Sequence, residues 1–125
     1  MKYFYIAIGG ALGSISRYFL NFIIVAKFPS FPYGTLFVNT LGSFTMLFLF
    51  TILSKTSSTD PFRLFFAVGF LGAFTTFSTF SFETIQFLKN QEIGLAVLNI
   101  FMNNFFSLVF GGLGYYLANK FHFVN

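Results

Sequence analysis

The residues with chemistry to offer gather in one stretch, Gly69-Phe70-Leu71-Gly72-Ala73-Phe74-Thr75-Thr76-Phe77-Ser78-Thr79-Phe80-Ser81-Phe82-Glu83. Five hydroxyls (Thr75, Thr76, Ser78, Thr79 and Ser81) stand between phenylalanines inside a long apolar run, and a carboxylate closes it. A hydroxyl donates through its hydrogen, and an asparagine such as Asn39 donates through its NH2 group. A phenylalanine ring carries positive charge at its edge, because its quadrupole places negative charge on the faces. Hydroxyl donors, an amide and ring edges in a narrow apolar space suit the passage of a small anion. Enzyme chemistry is poorly supplied. There is no cysteine, the single histidine is the remote His122, and the chain holds three acids. No nucleophile, base and orienting group can be assembled from that set. Thiol chemistry, disulfides and cysteine metal sites are excluded outright.

Such a stretch needs elements that can carry it. Of the 125 residues 56% are hydrophobic and only 8% charged, whereas soluble domains carry about 25% charge. The chain therefore reads as an integral membrane protein. A spanning helix takes about 20 residues, so four spans and short loops account for the whole length as one four-helix domain, residues 1–125. Expected spans are 3–26, 33–53, 62–88 and 93–118. The start, Met1-Lys2 and an apolar run, mimics a signal peptide, but the run continues past Arg17 and is read as a retained span. Asp60-Pro61 has the chemistry of a helix start. The third span is longer than a bilayer requires, which fits a helix broken at 72–76. Non-helical backbone at membrane depth survives only under protein or beside a water-filled cavity, so the break must face the inside of an assembly.

Polar stripes mark the other helices. Thr35, Asn39 and Ser43 follow a four-residue spacing on the second span, as do Asn99, Asn103 and Ser107 on the fourth. Ser14, Arg17 and Asn21 share a face of the first span. Gly9 and Gly13 form a small-xxx-small pair that permits close helix contact. The net charge of +4 comes from Lys and Arg flanking the spans, with no clustered patch to suggest nucleic acid. Lys2, Lys55, Arg63 and Lys120 fall on one side of the membrane, and Lys27, Lys89 and Arg17 on or towards the other. Orientation follows such asymmetry. Here it is too slight to fix one topology, and it is compatible with insertion both ways up.

These residues resemble a known family. Gly10-Ala11-Leu12-Gly13 with Arg17-Tyr18, Gly34-Thr35-Leu36 with Asn39 and Gly42-Ser43, and the third-span stretch through Glu83 are together similar to the Fluc/CrcB fluoride channels, over essentially the whole chain. The resemblance implies passive export of fluoride from the cytoplasm across the cell membrane. It also implies an antiparallel, dual-topology homodimer with two pores. By position, Asn39 resembles the family's pore asparagine, and Phe77 and Phe80 resemble its paired ring-edge residues, the Phe box. Thr76, Ser78 and Thr79 fall in the hydroxyl-bearing stretch, and Asn99, Asn103 and Ser107 in the pore-facing stripe of the fourth span. The carbonyls of Gly72 and Thr75 resemble ligands of a central structural Na+, supplied by both subunits. Two features depart from the family pattern: Ala73 stands where a second glycine is common, and Asn99 and Asn103 where Tyr or Ser often occur.

Plainer readings stand beside these. Asn39 could make an interhelical hydrogen bond only, and Phe77 and Phe80 could be ordinary packing. Arg17 could snorkel to the interface or set the potential of a vestibule. Glu83 is expected to cap its span or pair with a basic group. Two other functions fit a small four-span chain. A dual-topology multidrug transporter would need a carboxylate deep in the first span and a Trp-containing cage, and both are missing here. An accessory subunit would pack inside a larger complex.

Overall fold

A computed structural model describes residues 1–122. Its order is α1 (Lys2–Lys27), α2 (Tyr33–Ile52), a third segment α3 (63–74), α4 (Phe77–Lys89) and α5 (Ile93–His122). No strand occurs among the described residues. Four stretches are long and apolar enough to cross a membrane: Lys2–Lys27, Tyr33–Ile52, Arg63–Lys89 and Ile93–Phe121. The chain is thus an all-helical, multi-pass membrane protein. Span boundaries match the sequence expectation closely except at the end. There the helix continues beyond Ala118, the expected end of the span, and takes in Lys120. Lys120 Nζ lies 5.0 Å from the centre of the Tyr116 ring and Asn119 Nδ2 donates to Tyr115 O. Neither glycine nor proline is present to stop the helix there.

Asp60 starts α3 as its chemistry suggests, its Oδ1 accepting from Arg63 N at 3.1 Å. The segment Arg63–Leu71 then winds as a π-helix before one α-turn, Gly72–Phe74. Most π-helical geometry in proteins is a single bulge inside an α-helix; here it runs for nine residues. This stretch packs backbone to backbone on α1. A Cβ on Gly9 would run into Phe65 O, and one on Gly13 into Phe70 O. A Cβ on Gly69 would lie 2.7 Å from Ile6 O. The small-xxx-small pair thus lets the two main chains touch. Gly114 of α5 approaches Phe44 O of α2 in the same way.

The interior of the single chain is unusually polar. Val38, Asn99 and Thr35 are the largest fully buried side chains. Most of the large apolar side chains, Phe77, Phe82 and Phe101 among them, are exposed on the isolated chain. Apolar side chains such as Leu64, Leu71 and Phe74 are buried too, so it is the surface that differs from a soluble protein's, and a surface this apolar is what a chain solvated by lipid or by a partner requires.

Candidate functional site

Two residues with extended backbone separate α3 from α4: Thr75 (φ −79°, ψ 154°) and Thr76 (φ −150°, ψ 117°). Gly72 itself is helical, at φ −60° and ψ −32°. The departure from helix therefore begins three residues after the glycine. Local side chains finish both ends. Thr75 Oγ1 and N both donate to Leu71 O, at 3.1 and 3.2 Å, which closes α3. Thr76 Oγ1 accepts from Thr79 N at 3.1 Å, a hydroxyl N-cap on α4. The Thr76 hydroxyl hydrogen reaches Thr79 Oγ1 at 3.0 Å, and Ser78 Oγ lies 3.3 Å away. Thr76, Ser78 and Thr79 thus form one hydroxyl cluster at the start of α4. Gly42 of α2 makes the room, since a Cβ there would overlap Thr75 Cγ2.

An interrupted helix leaves backbone groups without partners, and in lipid each one is costly. Asn39 serves Thr76 on both counts. Its Oδ1 accepts from Thr76 N at 2.8 Å and its Nδ2 donates to Thr76 O at 3.0 Å. The second Nδ2 hydrogen goes to Asn103 Oδ1 at 3.0 Å. From there a ladder continues into the protein. Asn103 Nδ2 donates to Asn99 Oδ1 at 2.8 Å, Asn99 Nδ2 to Thr84 Oγ1 at 3.0 Å, and Thr84 Oγ1 to Phe80 O at 2.8 Å. Asn99 has no exposed surface in the chain and Asn103 is also buried. The stripes on the second and fourth spans therefore meet each other. The spacing of Asn99 and Asn103 puts both on one face of α5; nothing in the sequence marked Asn39 as their partner or Thr84 as the far end of the ladder.

A cavity of about 290 Å³ opens beside the interruption, lined by Asn39, Thr76, Phe77, Phe80, Asn103 and Ser107, with Ser43 and Thr75 also on its wall. The Phe77 and Phe80 ring centres are 5.3 Å apart and their planes are inclined at 57°. Phe80 is buried, whereas Phe77 is 76% exposed on the isolated chain. Arg17 turns inward rather than to the interface, its Nη1 donating to Thr75 O at 3.3 Å. This places a guanidinium beside the interruption. Glu83 does not cap the span, and among the described residues it meets no basic group. Its Oε1 accepts from Thr35 Oγ1 at 2.5 Å, and its Oε2 is buried without a partner.

Among the described residues no group of three or more His, Cys, Asp or Glu side chains could hold a metal ion. A cation here would need backbone oxygens, and two candidates have been turned out of the helical pattern. The amide that normally bonds Gly72 O, Thr76 N, is taken by Asn39. Thr75 O leaves the helix because its ψ is extended. Around Gly72 the space is open: an added Cβ would meet nothing within 4 Å. Such carbonyls are the right donors for a hard alkali cation, although Thr75 O already accepts from Arg17.

Comparison with known proteins gives a consistent picture. Residues 4–115 match the family described as "CrcB-like protein, Camphor Resistance (CrcB)". A Thermus thermophilus protein named "Fluoride-specific ion channel FluC" is 43% identical over 118 residues, 94% of each chain. A Dehalococcoides mccartyi protein of the same name is 46% identical over 116 residues, 91% of this chain and 89% of the relative. A Thermosipho africanus protein, again of that name, reaches 56% identity over 86 residues, 66% of this chain and 69% of its own.

Proposed function

The chain belongs to the CrcB-like family, whose model matches most of its length, and from that premise we propose that it is a fluoride-selective channel releasing fluoride passively from the cytoplasm. It is not an enzyme: the relatives it matches are named as ion channels. The observation that carries the channel reading is the cavity where an interrupted helix, the Thr76 hydroxyl and the Phe77 and Phe80 rings come together. Moving a carboxylate-sized ion into low dielectric costs on the order of 20 kcal/mol by the Born estimate, and a smaller ion costs more. Ring edges and hydroxyl donors replace the lost water in small steps. Binding at several weak sites lets an ion both enter and leave.

In this reading fluoride passes the Phe77 and Phe80 edges and the Thr76 hydroxyl, along the wall formed by Asn39, Asn103 and Ser107; Ser78 and Thr79 sit behind Thr76 in the hydroxyl cluster, and Asn99, fully buried, supports the wall through Asn103 rather than facing the ion. Arg17 supplies positive potential at the approach, where a fixed charge raises the local anion concentration. The third span is broken at mid-membrane depth and faces an inverted second copy, giving an antiparallel dual-topology homodimer with two pores. The exposed Phe77 ring is accounted for by such a partner. Gly72 and Thr75 carbonyls from both subunits would hold a structural Na+, whose charge would offset repulsion between anions in neighbouring pores.

Fluoride efflux from liposomes reconstituted with the full chain tests the proposal. Flux well above that of protein-free liposomes is expected, and its absence overturns the reading. Phe77→Ile and Phe80→Ile are each expected to impair flux while leaving the dimer intact on size exclusion. Wild-type flux in both variants removes the rings from the pathway.

A further inference from the structure

The α2–α5 pair borders a second space. It is a groove of about 570 Å³, nearly twice the volume of the cavity at the interruption, and the two share no lining residue. Leu36 and Phe37 of α2 form one wall and Met102, Phe106 and Phe110 of α5 the other, with Phe28, just past the end of α1, at the rim. Thr40 also belongs to the α2 wall, but its hydroxyl oxygen is covered, so an occupant meets no alcohol there.

The groove has a defined length. α2 and α5 run parallel: Asn39 meets Asn103, and a Cβ on Gly111 would lie 3.8 Å from both Ser43 Cβ and the Leu47 side chain. In the register set by Asn39 and Asn103, Phe110 stands level with Met46. The lining thus descends from the level of Tyr33 to that of Met46, about 20 Å of helix at 1.5 Å per residue. Half a bilayer, headgroups included, is about 20–22 Å thick.

Its mouth carries a charge. Tyr33 opens α2, and tyrosines gather at headgroup level. The Tyr33 ring centre is 6.0 Å from that of Phe28, and Lys27 Nζ lies 5.7 Å from the centre of the Phe28 ring. A cation therefore stands over the rim of an apolar groove that ends within the membrane. A long apolar body with a negative group at one end matches that pattern. A spanning helix of another chain, about 30 Å through the hydrocarbon, would run past the end of the groove.

We propose that the groove holds one acyl chain of an anionic phospholipid, whose phosphate meets Lys27. Thr40, Met102 and Phe106 adjoin Asn39, Asn103 and Ser107 in sequence. The lipid thus packs on the same two helices that present the polar cavity, along a separate face. An empty groove would leave its lining without partner atoms on one side, so the lipid helps to hold α2 and α5 in place. This holds whether or not the polar cavity conducts.

The test uses the full chain, purified in detergent and titrated with phosphatidylglycerol or phosphatidylcholine of identical acyl chains, with bound lipid counted by native mass spectrometry. Wild type is expected to hold one phosphatidylglycerol per chain, about fivefold more tightly than phosphatidylcholine, the factor that one lysine near an anionic headgroup contributes. Lys27→Gln should abolish that preference and leave phosphatidylcholine binding unchanged. Lys120→Gln, whose ammonium lies over Tyr116 instead, should match wild type. Leu36→Trp fills the groove and should weaken both lipids at least tenfold. Added phosphatidylglycerol should raise the melting temperature of wild type but not of Leu36→Trp, because a ligand of the folded state stabilises it. Met102→Trp, on the opposite wall, carries the same expectation should Leu36→Trp fail to purify. Equal affinity of wild type for the two lipids, or an unchanged preference in Lys27→Gln, overturns the proposal. So does undiminished binding in the tryptophan variants. A Leu36→Trp chain that elutes as a smaller species than wild type on size exclusion also overturns it, since the groove would then be a contact between copies.

Discussion

The two halves of the third span are held in opposite ways. The half before the interruption, α3, lies against α1 through glycines, main chain to main chain, with Gly9, Gly13 and Gly69 at the contact. The half after it, α4, is tied to α2 and α5 by a directed run of hydrogen bonds through Asn39, Asn103, Asn99 and Thr84. The first contact works by excluding side chains: any Cβ forces the helices apart. The second works by supplying partners to Thr76, whose N–H and C=O the interruption has left without helical ones. An interhelical hydrogen bond in a membrane contributes only about 0.6 kcal/mol on average. The ladder matters more than that figure suggests, because unsatisfied backbone groups in lipid cost several kcal/mol each. The difference teaches that steric fit fixes where α3 sits, while bond direction fixes how α4 begins.

Substitutions can break or sharpen this contrast. The largest effect is expected for Gly13→Val, whose side chain must displace the Phe70 carbonyl. Overpacking of this kind costs about 3 kcal/mol or more, so the variant should yield little monodisperse protein after size exclusion. Asn39→Leu should come next, with a loss of about 2–3 kcal/mol because both Thr76 groups are left unpaired; thermal unfolding in detergent reads it. Asn103→Leu removes ladder bonds but leaves the Thr76 contacts in place. A smaller loss, about 1–2 kcal/mol, is expected in the same measurement. If Asn103→Leu proves as damaging as Asn39→Leu, support of Thr76 is not the ladder's main task. Gly112→Ala should do least, since a Cβ there meets nothing within 4 Å. Its melting curve should match wild type to within about 0.5 kcal/mol.

Sequence pattern carried much of this, for reasons that differ by region. Glycine spacing reveals a close helix contact because no other residue permits one, so Gly9 and Gly13 were readable. Four-residue spacing of Thr35, Asn39 and Ser43, and of Asn99, Asn103 and Ser107, placed each stripe on one helix face. The π-helical stretch Arg63–Leu71 was not readable, since its apolar run has the same composition as an ordinary α-helix. The interruption was expected from Gly72 onward. It begins at Thr75 because an oxygen on a different helix, Asn39 Oδ1, captures Thr76 N. Thr84 looks like any helical threonine, and only the arrival of Asn99 gives it a place in the ladder. The pairing of Glu83 with Thr35 likewise depends on which faces of two distant helices come together.

Ion discrimination by the wild-type chain is the most direct test. Liposomes loaded in parallel with fluoride or chloride, and reconstituted with purified protein, should empty of fluoride rapidly while chloride leaves no faster than from protein-free liposomes. Chloride leaving as fast as fluoride, or fluoride retained as in the protein-free control, would contradict a fluoride-selective pathway at the Thr75–Thr76 interruption.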